Sequence, residues 1–255
     1  MRDCREPLPT RVDLTPSLPP EYDAVLERGL DTLGVRLGPD ERQAIDGHAR
    51  LLLAWTQAIN LTAIRDPAVV AREHVLDSLS ALPLLRGRGV ESVLDIGSGG
   101  GYPGIPLAIG LPGRSLLVES VGKKARFLEV VVNAIGLGQR AAVAGARVEA
   151  LAGEEGHRGW QAVVARGVAT LAELAELGMP LLRVGGVLVA WKRTPIEAEI
   201  GRAGSAIATL GGGQISTHQV PVDGLEDHVL VTVEKLRASP SGFPRDPAER
   251  RRRSL

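Results

Sequence analysis

The sequence predicts an α/β protein: a doubly wound sheet of about seven strands with a helical cap ahead of it. Three observations carry this expectation. From Val90 onward, short apolar runs alternate with helix-length amphipathic stretches. The first run, 92–96, feeds a turn holding Gly97, Gly99, Gly100, Gly101 and Gly104. Before Val90, apolar residues recur only at helical spacing.

Taken in order, residues 1–20 carry Pro7, Pro9, Pro16, Pro19 and Pro20 with little apolar content, and read as a disordered tail. A helix is predicted over 21–33. After Gly38-Pro39, Asp40 is placed to cap a second helix over 40–59, whose Ala44, Ile45, Leu51, Leu52, Trp55 and Ile59 form one stripe. A third, over 67–85, carries Val70, Val75, Leu79 and Leu82. Segment 21–88 is therefore the cap and 89–238 the main domain. There, strands are predicted over 92–96, 115–119, 141–144, 162–165 and 186–191, with helices over 104–110, 123–137, 171–182 and 196–210. Continuous apolarity fits strands covered on both faces, as in parallel sheets. Two further strands, near 216–221 and 228–235, close the sheet. The tail 239–255 holds five arginines against two acids. It reads either as a solvated end or as an arm that contacts phosphates.

Composition narrows the classes. Of 255 residues 44% are apolar, enough for a sizeable core, and 30 basic residues balance 30 acidic ones. Net charge therefore gives no argument for nucleic acid, and any such site must come from local clustering. The lone Cys4 excludes a disulfide framework, and five scattered histidines give no zinc spacing, so no metal is expected. The start, Met-Arg-Asp-Cys-Arg-Glu-Pro, has no apolar signal core, and no run is long enough to span a bilayer. A cytoplasmic monomer without membrane association is expected.

The stretch Asp95-Ile96-Gly97-Ser98-Gly99-Gly100-Gly101-Tyr102-Pro103-Gly104 admits two cofactor readings. From Gly99 it satisfies G-x-G-x-x-G, the dinucleotide fingerprint. From Asp95 it reads D-x-G-x-G-x-G, the loop of S-adenosylmethionine enzymes, with Gly97, Gly99 and Gly101 in the glycine places. Charge favours the second. A diphosphate is repelled by a carboxylate in a dry crevice, whereas a cofactor carrying an ammonium and a sulfonium is attracted to Asp95.

Other candidates cluster at the predicted strand tips. Glu119 ends the second strand about 20 residues after the turn, where such folds place an acid on ribose hydroxyls. Val148 and Glu149 follow the third strand and are placed to line an adenine. Arg166 ends the fourth, and Lys192 follows the fifth. These two are the expected substrate-positioning residues, with Arg166 also on the cofactor. Lys123, Lys124 and Arg126 open a helix whose dipole they oppose, which points to an outside anion. His74 and Asp77, three apart, fit a local hydrogen-bonded pair.

The fourth strand ends Ala165-Arg166-Gly167-Val168-Ala169, without the Asp/Asn-Pro-Pro-aromatic turn common where exocyclic amines are methylated. Ring-carbon methylation needs a thiolate, and Cys4 is badly placed for that. A ring nitrogen with a free lone pair, such as guanine N7, needs neither aid.

The ordered set of motifs is similar to that of the glucose-inhibited division protein B family, bacterial small-subunit ribosomal RNA guanine-N7 methyltransferases. It comprises Asn60-Leu61-Thr62-Ala63-Ile64-Arg65-Asp66-Pro67, His74-Val75-Leu76-Asp77-Ser78-Leu79, the 95–106 loop, Gly122-Lys123-Lys124-Ala125-Arg126-Phe127-Leu128, Ala165-Arg166-Gly167-Val168-Ala169 and Gly242-Phe243-Pro244-Arg245. The resemblance implies a class I, Rossmann-like methyltransferase. Its cofactor would be S-adenosyl-L-methionine, held by Gly97, Tyr102, Val148, Glu149 and Arg166, and its partner 16S ribosomal RNA or the small ribosomal subunit. Arg245 joins the basic helix start as an RNA contact. Three positions depart from the family pattern: Tyr102 replaces Leu or Phe, Arg193 replaces Gly, and Asp227 replaces a basic residue. A nicotinamide-dependent oxidoreductase and a non-catalytic RNA-binding assembly factor are the rival readings.

Overall fold

The computed structural model describes residues 7–151, 159–252 and 255. The cap consists of α1 (Pro20–Leu33), α2 (Pro39–Ile59) and a broken third helix. Glycine closes α1, where Gly34 takes the left-handed cap conformation at φ 62°. The N-cap of α2 is Gly38 rather than Asp40, because Glu41 Oε2 reaches back to accept from Gly38 N at 2.7 Å.

The third helix is not the single run expected over 67–85. Asp66 caps a short α3 (Pro67–Val70), a π-helical stretch Ala71–Leu76 follows, and α4 (Asp77–Leu79) ends at a turn before α5 (Leu82–Gly87). A π insertion re-aims the side chains that follow it, and such insertions recur at functional sites. Here it precedes Asp77, whose partners lie on the sheet.

The Pro-rich start also differs from expectation. Residues 7–20 are laid against α2: Trp55 Nε1 donates to Pro9 O at 2.7 Å and Arg50 Nε to Pro16 O at 2.8 Å. Leu8, Val12 and Leu18 pack on the core. Fixed proline φ angles lower the entropy lost on docking, so few contacts suffice to hold this segment. The part of the expected tail in residues 1–6 lies outside the described residues.

The sheet has the order β3-β2-β1-β4-β5-β7-β6. Its strands are β1 (Ser92–Ile96), β2 (Arg114–Val118), β3 (Ala141–Ala144), β4 (Trp160–Arg166), β5 (Leu182–Arg193), β6 (Gly212–Gln219) and β7 (His228–Lys235). The first five are parallel, and β7 runs antiparallel between β5 and β6. Helices α6 (Gly104–Gly110), α7 (Gly122–Ala134), α8 (Val148–Leu151), α9 (Leu171–Gly178) and α10 (Glu197–Thr209) connect them, and α11 (Pro247–Arg252) lies in the tail. Alternate strand residues feed two cores. Val93, Leu117, Val164 and Val189 face the cap, whereas Leu94, Leu116, Val163 and Leu188 face α9 and α10.

Topology builds the site. Parallel strands place Ile96, Val118, Ala144 and Arg166 along one edge. Because β7 is antiparallel, its first residue joins that edge, with His228 paired to Arg193. Among the described residues, no helix is long and apolar enough to cross a membrane.

Candidate active site

The loop after β1 is held mostly by its own N–H groups. Gly97 N and Ser98 N donate to Val118 O at 2.9 and 3.0 Å, and Gly101 N to Ser98 O at 2.7 Å. Gly99 N donates to Glu119 Oε2 at 2.9 Å, and Gly104 N to Asp95 Oδ2 at 3.1 Å. Gly97, at φ 69°, has no room for a side chain: a Cβ would lie 2.7 Å from Val168 Cγ2. A diphosphate site needs such N–H groups free, and here five are spent, two of them on carboxylates. The dinucleotide reading therefore does not fit this loop.

Asp95 is only 1% exposed and does not line the cavity, so the expected direct contact is corrected. Its carboxylate ties the start of α6 to the strand tip, while Oδ1 is buried without a partner. Burial raises its pKa to about 7, against hydrogen bonds from Ser98 and Gly104. Its charge therefore acts through the loop rather than by touch. Gly101 likewise serves packing, since a Cβ there would meet Ile105 and His48. His48 from α2 supports the loop, its Nε2 2.8 Å from Gly100 O, and burial lowers its pKa to about 3, so the ring is neutral. Its role was not foreseen from sequence.

Three cavities follow one another along the strand tips. One of about 220 Å³ is lined by Gly97, Val118, Val148, Glu149 and Arg250. A second, about 240 Å³, is lined by Gly97, Gly99, Tyr102, His74, Lys124 and Arg166. A third, about 420 Å³, shares His74, Arg166 and Gly167 with the second and adds Trp191, Lys192 and His228. Val148 and Glu149 thus line the first cavity, Gly99 and Tyr102 the second, while Gly97 borders the first two and Arg166 the last two. Glu119 braces the loop from behind, Oε1 accepting from Val121 N at 2.8 Å. Tyr102 stacks on His48 and His74 at ring separations of 4.2 and 5.0 Å.

Arg166 is organised by groups the sequence reading left as a local pair. Its Nη1 donates to Asp77 Oδ2 and Glu73 O, each at 2.8 Å, and its Nη2 lies 3.2 Å from His74 Nδ1. His74 Nδ1 lies 3.2 Å from Glu73 O as well, and its Nε2 faces Thr62 Oγ1 at 2.8 Å. Burial first, and Arg166 second, lower the His74 pKa to about 4. His74 and Asp77 do not bond to each other through side chains. Asp77 instead also accepts from His228 Nδ1 at 2.8 Å, and its carbonyl from Trp191 Nε1 at 2.7 Å. Asp77 and His228 were missed as a unit because they are 151 residues apart.

The expected cationic contacts divide. Lys123, Lys124 and Arg126 have no side-chain hydrogen bond or ion pair among the described residues and stand at the start of α7. Lys192 is engaged inside the protein, donating to Ala169 O at 2.8 Å and Glu199 Oε1 at 2.7 Å. Burial works against the Glu199 carboxylate, but Lys192 and Leu171 N hold its pKa below the usual value. Arg245 is not free for RNA either. It forms a bidentate pair with the buried Glu176 at 2.8 and 2.7 Å, docking the tail on α9. Arg250 is ion-paired with Glu149, so the tail is anchored and not a solvated end. Two departures from the family pattern meet each other: Arg193 Nη1 lies 2.8 Å from Asp227 Oδ2.

Comparison with known proteins gives the family and the fold. The chain is 43% identical over 232 residues to the ribosomal RNA small subunit methyltransferase G of Rubrobacter xylanophilus, with 88% of each chain covered. The protein of the same name from Roseiflexus castenholzii is 40% identical over 214 residues, covering 83% of this chain and 91% of its relative. An O-methyltransferase from Bacillus cereus, solved with SAH, shares the fold at a TM-score of 0.57 and 19% identity, covering 84% of this chain and 100% of its own. The family profile matches residues 41–226, and the chain belongs to the GidB family, rRNA small subunit methyltransferase G.

Proposed function

We propose that this protein transfers a methyl group from S-adenosylmethionine to N7 of a guanine in 16S ribosomal RNA, acting in the cytoplasm as a monomer on the small subunit. The observation that carries the reading is the loop in which Gly104 N and Gly99 N are taken up by Asp95 and Glu119, and three further N–H groups by backbone carbonyls. Such a site has acceptors and negative charge to offer a cationic cofactor and little to offer a diphosphate. The buried Asp95 Oδ1, which has no hydrogen-bond partner among the described residues, leaves an acceptor beneath the same loop.

In this reading Val148 and Glu149 wall the adenine end, Glu119 braces the backbone of Gly99 and Val121 behind the ribose, and Gly97, Gly99, Tyr102 and Arg166 hold the amino-acid end. When bound, the cofactor supplies an electrophilic methyl on sulfur. N7 carries no proton, so the residues around it need no general base. Their work is to orient the base and exclude water, and Arg166 is fixed for that by Asp77 and Glu73. Lys192 contributes by fixing the turn after β4 through Ala169 and Glu199.

Incubation with labelled methyl donor and small subunits lacking the modification tests the proposal. One guanine should gain a base-labile 7-methyl group, located by mass mapping. Tight RNA binding without label would turn the protein into an assembly factor. Fluorescence titration with reduced nicotinamide cofactor should show no binding.

A further inference from the structure

We infer that His228 reads the target base, its Nε2 accepting a hydrogen bond from the N1–H or exocyclic N–H of guanine in the third cavity. The inference rests on the methyl-transfer reading above and names the group that selects the base.

His228 is buried, with 8% of its surface exposed, at the first position of β7. Its Nδ1 lies 2.8 Å from Asp77 Oδ1. An ionised carboxylate only accepts, so Nδ1 carries a proton, and in the tautomer this bond selects the lone pair lies on Nε2. That nitrogen has no hydrogen-bond partner among the described residues; the nearest acid oxygen, Asp227 Oδ1, is 3.7 Å away, beyond bonding range. His228 lines the cavity of about 420 Å³. The result is an oriented acceptor on a wall that also carries Trp191, itself fixed by Asp77. Arg166, on the opposite side of Asp77, belongs to both this cavity and the cofactor loop's cavity. Asp77 therefore positions a cofactor residue with one oxygen and the base reader with the other.

Chemistry explains why an acceptor belongs here. The Watson–Crick edge of guanine presents N1–H and an exocyclic N–H; adenine presents a lone pair at N1 and a C–H beside it. An acceptor facing adenine meets a lone pair and leaves two buried acceptors unpaired. In the transfer itself, the N7 lone pair forms the new N–C bond, and the S–C electrons return to sulfur. The purine ring then becomes positive without moving a proton. The ring N–H groups become stronger donors in that step, so the hydrogen bond to Nε2 tightens as charge develops.

The test uses the full chain with small subunits lacking the modification. His228→Leu should lower kcat by about 10²-fold while S-adenosylmethionine affinity, read by calorimetry, stays within twofold and certifies the fold. His228→Gln, whose amide oxygen can accept, should recover at least tenfold of that loss. With RNA carrying adenine at the target, wild type should be inactive and His228→Leu should discriminate less. A kcat for His228→Leu within twofold of wild type overturns the inference, as does equal damage in the Gln variant or a parallel loss of cofactor affinity. If wild type labels no RNA at all, the methyl-transfer reading falls and takes this one with it. If wild type is active and His228→Leu matches it, only the base-reading role falls.

Discussion

Asp77 Oδ2 and Arg166 Nη1 meet at 2.8 Å across the seam between the helical cap and the sheet, with the Asp77 side chain 1% exposed and that of Arg166 19%. Removing one partner of a buried pair leaves the other charge without compensation, which costs about 3–5 kcal/mol. Asp77→Ala should therefore lower the unfolding free energy by about that much in urea titration, and should loosen Arg166 enough to weaken S-adenosylmethionine binding. A loss below about 1 kcal/mol would show that solvent already screens the pair.

Gly97 combines a left-handed backbone with a wall at Cβ distance, and lines two of the three cavities. Gly97→Val should abolish measurable S-adenosylmethionine binding in calorimetry while leaving a folded protein. Wild-type affinity in that variant would displace the cofactor from the loop.

The sheet was readable because its strands are apolar throughout and its loop is glycine-dense, signals that span only a few residues each. Asp95, Glu119 and Arg166 stood out as charges at the ends of such runs. What stayed hidden were relations between distant residues. Nothing local marks Asp77 as the shared partner of Arg166 and His228, or Arg245 as the partner of Glu176 rather than of RNA. The proline-rich start was misjudged for a related reason: composition reports the absence of a self-contained core, while α2 supplies the surface that residues 7–20 need.

Asp95 gives a pH dependence of defined sign. Its native pKa is raised to about 7 by burial, whereas an unfolded chain keeps the ordinary carboxyl value of 3.8. Between these values the native state holds the extra proton, so stability falls as pH rises from about 4 to about 7. A contribution of about 4 kcal/mol at most follows from a shift of this size. Asp95→Asn should flatten the slope between pH 4.5 and 7.5 in urea denaturation. S-adenosylmethionine, being cationic, should expel that proton on binding. Calorimetry near pH 6.5 in buffers of different ionisation enthalpy should register its release, and identical heats in all buffers would count against an acid at this place.

Lys192 and Glu199 form a clamp with the turn after β4, at 2.7 Å from each other. If Lys192 worked by touching RNA, Glu199→Ala would leave methylation intact. The clamp predicts instead that Lys192→Ala and Glu199→Ala each lower methylation by a similar factor, with S-adenosylmethionine affinity nearly unchanged. The double variant should be no worse than either single one, because both remove the same contact. Additive losses would separate the two residues.

Lys123, Lys124 and Arg126 are placed to meet phosphate, since each lacks an acidic partner among the described residues and Lys124 also lines the cavity of about 240 Å³ beside the glycine loop. A phosphate contact from single-stranded RNA contributes about −0.7 to the slope of log affinity against log salt. Lys123→Ala with Arg126→Ala should therefore reduce the slope for RNA binding by about 1.4 and weaken binding most at low salt. Arg245→Ala, whose side chain is spent on Glu176, should leave the slope unchanged and lower stability. Filter binding over a range of salt concentrations separates the two classes, and a slope change in Arg245→Ala alone would reverse the assignment.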